Sequence, residues 1–256
     1  DHFLDYCRVY NVTDINDKPQ KMEFCFEPSS KSERIEKTLE DCVSFVDFLL
    51  TGGILFENII FDKLKQKYNN NIVTIADSIE ARNIKKFEET INEMKKGTPI
   101  IYQGILHNKK NKTFGSADLL VRSDWLNKIV SSNVISEEEE KIGAPKINSN
   151  SYHYRIIDIK NTQMEMNTNG ITLRNKPNIK PYKCQIYLYT EALGEMQGYT
   201  PGSGYILGKG WVLKKNVNRV QVVKKSEDAF NKLGKIDYSD FDNQYIDISN
   251  NAVDWL

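Results

Sequence analysis

Apolar and polar positions alternate without a clear period over residues 1–30. Asn16-Asp17-Lys18-Pro19 and Glu27-Pro28-Ser29-Ser30 predict an irregular or hairpin-like lead-in there. From Ser32 the apolar residues recur at three and four positions. Leu39, Cys42, Val43, Val46, Leu49 and Leu50 predict a helix that stops at Gly52-Gly53. Ile54, Leu55, Ile59, Ile60 and Leu64 predict a second helix immediately after it. Asp77-Ser78-Ile79-Glu80 reads as a capping box, ahead of a stripe of Ile84, Phe87, Ile91 and Met94 that Gly97 terminates.

The pattern then changes to strands. Residues 99–106 form an apolar run, Asn108–Lys112 a polar turn, and Thr113–Arg122 a returning run, which predicts an antiparallel hairpin. Residues 123–151 break the pattern with Ser/Asn pairs, the acids Glu137–Glu140 and Gly143-Ala144-Pro145. They read as an insertion or mobile surface loop, with the glutamates a solvated charge run. A strand over 153–160, a connection over 161–181 and a helix from Tyr182 to Gln197 follow, the helix broken by Gly198-Tyr199-Thr200-Pro201-Gly202. Ser203–Lys209 reads as a strand and 217–223 as strand-like, while the tail from 226 suggests no definite element.

A chain of 256 residues has room for one domain, or one domain with an appendage. No apolar run approaches the length of a membrane span, and no cationic leader opens the chain. It begins at Asp1 and stops at Leu256, just after Ala252-Val253-Asp254-Trp255, and so reads as a segment of something longer. Cys7, Cys25, Cys42 and Cys184 form no CxxC pair and no Cys/His zinc spacing. Such scattered thiols predict an intracellular, reducing setting, cytoplasmic or nuclear. Net charge is zero, but residues 171–225 carry ten Lys/Arg against Glu191 and Glu195, a local +8 that the remainder balances. That asymmetry is what a phosphate-binding face on a neutral protein looks like, although any single lysine is more simply a solvated surface group.

The chemistry centres on Tyr154-Arg155-Ile156-Ile157-Asp158-Ile159-Lys160, a β-rich run ending in an acid, a spacer and a lysine. Alternate strand residues share a face, so Asp158 and Lys160 project together, either as a plain ion pair or as part of a site. Asp118 is the lone acid of the apolar run Phe114–Val121, and Gln185 and Tyr189 stand at i, i+4 on one helix. Glu57 lies among Leu55, Phe56, Ile59, Ile60 and Phe61. It is either a first-turn carboxylate favoured by the helix dipole or a partly buried acid needing a metal or lysine partner. His107 and His153 are set aside as ordinary turn and strand residues.

Gly115-Ser116-Ala117-Asp118, Asp158-Ile159-Lys160 and Gln185-Ile186-Tyr187-Leu188-Tyr189, following a helical Glu57, occur in the order that resembles the PD-(D/E)XK nuclease superfamily, in particular its RecB-like branch. The resemblance spans roughly residues 50–210; each motif is short, and their shared order and context carry the match. It implies an α/β, restriction-endonuclease-like core (αβββαβ) with a central mixed β-sheet flanked by helices. The division would be 1–50 as lead-in and helix, 51–225 as nuclease core with an insertion at 123–151, and 226–256 as a tail bordering a larger protein.

The activity implied is Mg²⁺- or Mn²⁺-dependent hydrolysis of DNA, within a larger repair, replication or recombination protein. Glu57, Asp118, Asp158 and the Ile159 carbonyl would hold the ion, a hard cation that takes oxygen ligands. Lys160 would orient the nucleophile and offset charge, and Gln185 and Tyr189 would face the site. Lys183, Lys209, Lys214 and Lys215 would follow the phosphate chain of single-stranded or duplex DNA. A fused or associated helicase is a further expected partner, and a membrane is not. Some relatives hold an iron–sulfur cluster with cysteines beyond the Gln/Tyr helix; here Cys184 is the last cysteine, so no cluster is expected. Two other readings compete: a non-catalytic nucleic-acid-binding module with the same fold, and a structural α/β domain in which Asp158–Lys160 is only a salt bridge.

Overall fold

A computed structural model describes residues 45–76, 80–217 and 220–255. The irregular lead-in and residues 32–44 of the first expected helix, which was to end at Gly52-Gly53, lie outside these residues. The chain divides into two compact units, residues 1–56 and 57–256. Helix α1 (Phe45–Tyr68) runs on through Gly52-Gly53, where a stop was expected. Glycine weakens a helix by about 1 kcal/mol without ending it, and no close neighbour occupies the space beside Gly53. Ile60 and Leu64 are buried, whereas Ile54, Leu55 and Ile59, read as part of the same inner stripe, are exposed.

The second unit is a mixed α/β fold whose central sheet has seven strands, in the order β1-β2-β3-β4-β5-β6 with β7 also paired to β5. Strand β1 (Ile72–Thr74) lies parallel to β2 (Ile100–Asn108). The expected hairpin is present: β2 pairs antiparallel with β3 (Thr113–Arg122), Ile100 opposite Val121. Strand β3 pairs antiparallel with β4 (Tyr154–Met166), and β4 pairs parallel with β5 (Ser203–Val217), Asp158 beside Ile206. Strands β6 (Val220–Ser226) and β7 (Gly234–Asp237) both run antiparallel to β5.

Helix α2 (Ile84–Lys96) starts later than the capping-box pattern suggests, at Asn83, whose side chain accepts from the Lys85 and Lys86 amides at 3.0 and 3.5 Å. Residues 77–79 of that box lie outside the described residues. Gly97 ends the helix as expected, in the left-handed region at φ 76°. Ile84 is exposed, so the buried face runs from Phe87 through Ile91 to Met94.

Residues 123–151 are not a loose insertion. They fold into two short helices, α3 (Leu126–Ile129) and α4 (Glu137–Glu140), with Leu126, Ile129, Val130, Ile135, Ala144 and Ile147 buried. The glutamate run is only partly a solvated face, because Glu139 pairs with the fully buried Arg155. Pattern reading undervalues this segment because its apolar residues follow no single period.

Strand β4 continues to Met166, past the point where a connection was expected, across a register shift between Lys160 and Gln163. Helix α5 (Lys180–Gln197) ends at Gly198 and packs closely on β5: a Cβ at Gly204 would lie 2.4 Å from Ile186. The tail belongs to the same unit. Besides β7 it forms α6 (Gln244–Trp255), whose Tyr245 is buried. Among the described residues no helix is long and apolar enough to cross a membrane.

Candidate active site

The β3–β4 ladder runs from Arg122↔Tyr154 to Leu119↔Ile157 and stops there. At the next position the Ile159 amide donates to Asp118 Oδ2 at 2.7 Å, so a side-chain carboxylate takes the place of a ladder carbonyl. A bond of this kind fixes Asp118 where the two strands part. Burial, above all, and then the negative charge of Asp158 push the Asp118 carboxyl well above the usual carboxylate range; Lys160 opposes this and Glu57 reinforces it. Several acids therefore crowd one place.

Asp158 is 1% exposed. Lys160 Nζ approaches its Oδ2 to 2.9 Å, and the ammonium lies 5.0 Å from the Tyr182 ring centre. Burial works against the Lys160 charge, but Asp158 and Asp118 outweigh it and raise the pKa. The buried Asp158 Oδ2 thus has the Lys160 ammonium as its partner, a charged contact in place of a backbone or neutral donor.

The third acid is held by a residue that pattern reading passes over. Gln103 lies inside β2 yet adopts φ 52°, and the β2–β3 ladder steps from Tyr102↔Leu119 to Gly104↔Ala117 around it. A non-glycine residue in that region costs about 1 kcal/mol or more, and such residues concentrate at functional sites. The Gln103 amide nitrogen donates to Glu57 Oε1 at 2.5 Å and reaches Asp118 Oδ1 at 3.5 Å. Ser116 Oγ donates to Gln103 Oε1 at 2.6 Å, which fixes the amide with its nitrogen toward the acids. Tyr102 also donates to Glu57, at 2.7 Å; burial first, and this carboxylate second, push the phenol pKa up, so it stays a donor.

Glu57, Asp118, Asp158 and Lys160 thus come together around the end of the β3–β4 ladder, with Gln103 between Glu57 and Asp118. Ile159, expected to offer its carbonyl, contributes its N–H to Asp118. Gln185 and Tyr189 bond to each other at 3.1 Å, and the Tyr189 ring lies over Gly115, where a Cβ would be 2.5 Å from Cε1. That glycine lets the α5 tyrosine close onto β3 three residues before Asp118.

The four lysines assigned to the phosphate chain do not form one surface. Lys183 is fully buried; its ammonium donates to Leu173 O, Asn175 Oδ1 and Asp242 Oδ1 at 2.9, 2.7 and 2.5 Å. Its helix packs on the sheet, so the side chain meets the C-terminal segment instead of solvent. Lys209 is exposed and follows Gly208, the ladder partner of Lys160, so it points to the other side of the sheet. Lys214 and Lys215 are both exposed but, as strand neighbours, face opposite ways.

Among the described residues no three Asp, Glu, His or Cys side chains converge closely enough to hold a metal ion as they stand. The donor set nonetheless suits a hard cation. Asp158 is a buried carboxylate with oxygen donors beside Asp118, and Asp118 carries a charge penalty that a cation would relieve. The one described cysteine, Cys184, is buried with a free thiol. No protein-family model matches the chain, and comparison with curated proteins gives no match.

Proposed function

We propose that the second unit is a metal-dependent DNA nuclease of the PD-(D/E)XK type with a restriction-endonuclease-like core. The observation that carries this reading is the bond from Ile159 N to Asp118 Oδ2, which sets Asp118 at the parting of β3 and β4 beside the buried Asp158 and its partner Lys160. The element order supports it: the helix of Glu57, the hairpin with Asp118, the strand of Asp158 and Lys160, then a helix and a parallel strand.

Mg²⁺ or Mn²⁺ at Asp118 and Asp158, with Glu57 nearby, would polarise the scissile phosphoryl group and lower the pKa of bound water. Lys160, charged under all ordinary conditions by its two acidic neighbours, supplies a fixed positive charge where negative charge develops on the phosphate. Glu57, oriented by Tyr102 and Gln103, is placed to accept a proton from water or to hold it by hydrogen bonds. Tyr189 and Gln185 line the helix side and set the shape of the approach.

One observation favours a second reading, a non-catalytic nucleic-acid-binding module. The Gln103 amide bridges Glu57 and Asp118, the position a cation would take in an active site. Labelled single-stranded and duplex DNA, incubated with purified protein and Mg²⁺, Mn²⁺ or chelator, separates the two. Cleavage that depends on the divalent ion supports the nuclease; binding without cleavage in every ion supports the module.

A further inference from the structure

A pocket of 610 Å³ opens at the far end of β4, remote along that strand from Asp158 and Lys160. Its volume falls in the range that holds small polar ligands. Met166, the last residue of β4, forms part of its wall, and Arg174, Lys214, Asn216, Gln221 and Phe241 form much of the rest. The register explains the grouping. Asn216 and Gln221 are partners across the β5–β6 ribbon, and Lys214, two residues before Asn216, shares their face. Neither the Asn216 nor the Gln221 side chain has a hydrogen-bond partner among the described residues, so their donors and acceptors are available to a ligand. Phe241 is 51% exposed, an aromatic face open to solvent within an otherwise polar wall.

The charge around the pocket is positive. Arg174, Lys176 and Lys214 surround the single carboxylate of Glu165, whose pKa is lowered by its bond to Lys176 first and by the other two cations as well. Of the residues that line the pocket itself, Arg174 and Lys214 are cations and none is an acid, an excess that an anion would neutralise. Free amides, an open aromatic ring and surplus cations are together the chemistry that recognises a nucleotide: stacking for the base, amides for its edge and cations for its phosphate.

The geometry points to this pocket as a subsite for one nucleotide of a single-stranded nucleic acid. The inference rests on the nuclease reading for the direction of the strand, which would follow β4 from Lys160 to Met166. Six residues of strand span about 20 Å, the reach of a few nucleotides. A base held here would anchor the chain at a fixed distance from the acids, so the pocket selects single strands, whose bases are free to leave a stack, over duplex.

Fluorescence anisotropy of labelled oligothymidylates in chelator tests this, with thymidine 5′-monophosphate as competitor. Phe241→Ala and Arg174→Gln should each weaken binding of a long oligomer about 5- to 100-fold, and Lys214→Gln should flatten the salt dependence by about 0.7 in log–log slope. Lys224→Gln, whose ladder partner Leu213 puts it on the opposite face from Lys214, should leave affinity nearly unchanged. Cleavage of oligomers too short to reach from Lys160 to the pocket should not feel Phe241→Ala. Unchanged affinity in Phe241→Ala and Arg174→Gln overturns the subsite. So does a monophosphate that binds as tightly as the long oligomer, which would mark a site for free nucleotide. Cleavage by the wild type in Mg²⁺ or Mn²⁺ is scored separately. Cutting with indifferent pocket variants removes the subsite alone, whereas no cutting with sensitive pocket variants removes the nuclease reading and leaves the subsite.

Discussion

Gln103 Nε2 lies 2.5 Å from Glu57 Oε1, and the same nitrogen faces Asp118 Oδ1 at 3.5 Å. A neutral amide is thereby placed between two carboxylates, held there by Ser116 and by a left-handed backbone. It eases the proximity of like charges without supplying a charge of its own, and it must yield if a cation is to bind both acids.

Gln103→Glu would put a third carboxylate at that point. In chelator this variant should lose about 1–3 kcal/mol of stability, and saturating Mn²⁺ should recover most of the loss. Chemical denaturation with and without the ion measures both quantities. A variant as stable as the wild type in chelator would mean that Gln103 does not separate the acids in solution.

Lys160 Nζ lies 2.9 Å from Asp158 Oδ2, and in the proposed nuclease it acts in turnover beyond ion pairing. Lys160→Ala should slow cleavage about 10²- to 10³-fold while changing Mn²⁺ affinity, read by titration calorimetry, far less. Equal losses in both would assign Lys160 to metal binding through Asp158, and no loss in either would return it to a plain salt bridge.

Lys183 is a structural residue. Lys183→Ala would leave Asp242, 1% exposed, buried without its counter-charge, at a cost of about 3–5 kcal/mol in a denaturant melt. Lys183→Met, tested beside Asp242→Asn in a double-mutant cycle, should recover part of that loss. Lys183→Ala with wild-type stability would contradict the packing of α5 against the tail.

Lys183 and Gln103 mark the limit of what was legible in the sequence. The hairpin of residues 99–122, the helix ending at Gly198 and the face shared by Asp158 and Lys160 follow from local rules: period two, period 3.6 and a left-handed cap. Lys183 was misread because its partner Asp242 is 59 residues away, in a tail with no local period. Gln103 was missed for a related reason. It sits in an apolar strand pattern, and its φ of 52° is imposed by Glu57, Ser116 and Asp118 from three other points of the chain. Residues 123–151 likewise became ordered through contacts such as Glu139 with Arg155, which polarity alone does not reveal.

The same buried network sets a pH dependence away from the candidate site. Arg155 Nε donates to His153 Nε2 at 2.9 Å, and the opposite ring nitrogen meets Ile142 O at 2.9 Å, so the ring is held neutral. Burial first, and the Arg155 charge second, push the His153 pKa down to about 4. A base whose folded pKa lies below its unfolded value of about 6.5 contributes stability that is complete above about pH 6.5. That stability, on the order of 3 kcal/mol, is lost as pH falls toward 4. The stability difference between wild type and His153→Gln, followed from neutral to acid pH, should shrink through that window. A difference independent of pH would show that His153 titrates normally.

Asp158 is the residue on which the proposed cleavage depends most directly. The direct measurement is the rate of DNA cleavage in Mn²⁺ by wild type and Asp158→Asn, prepared side by side and checked for equal thermal stability. The wild type should cut and Asp158→Asn should fall to the level of the chelator control. Equal cleavage rates in the two proteins would contradict the assignment.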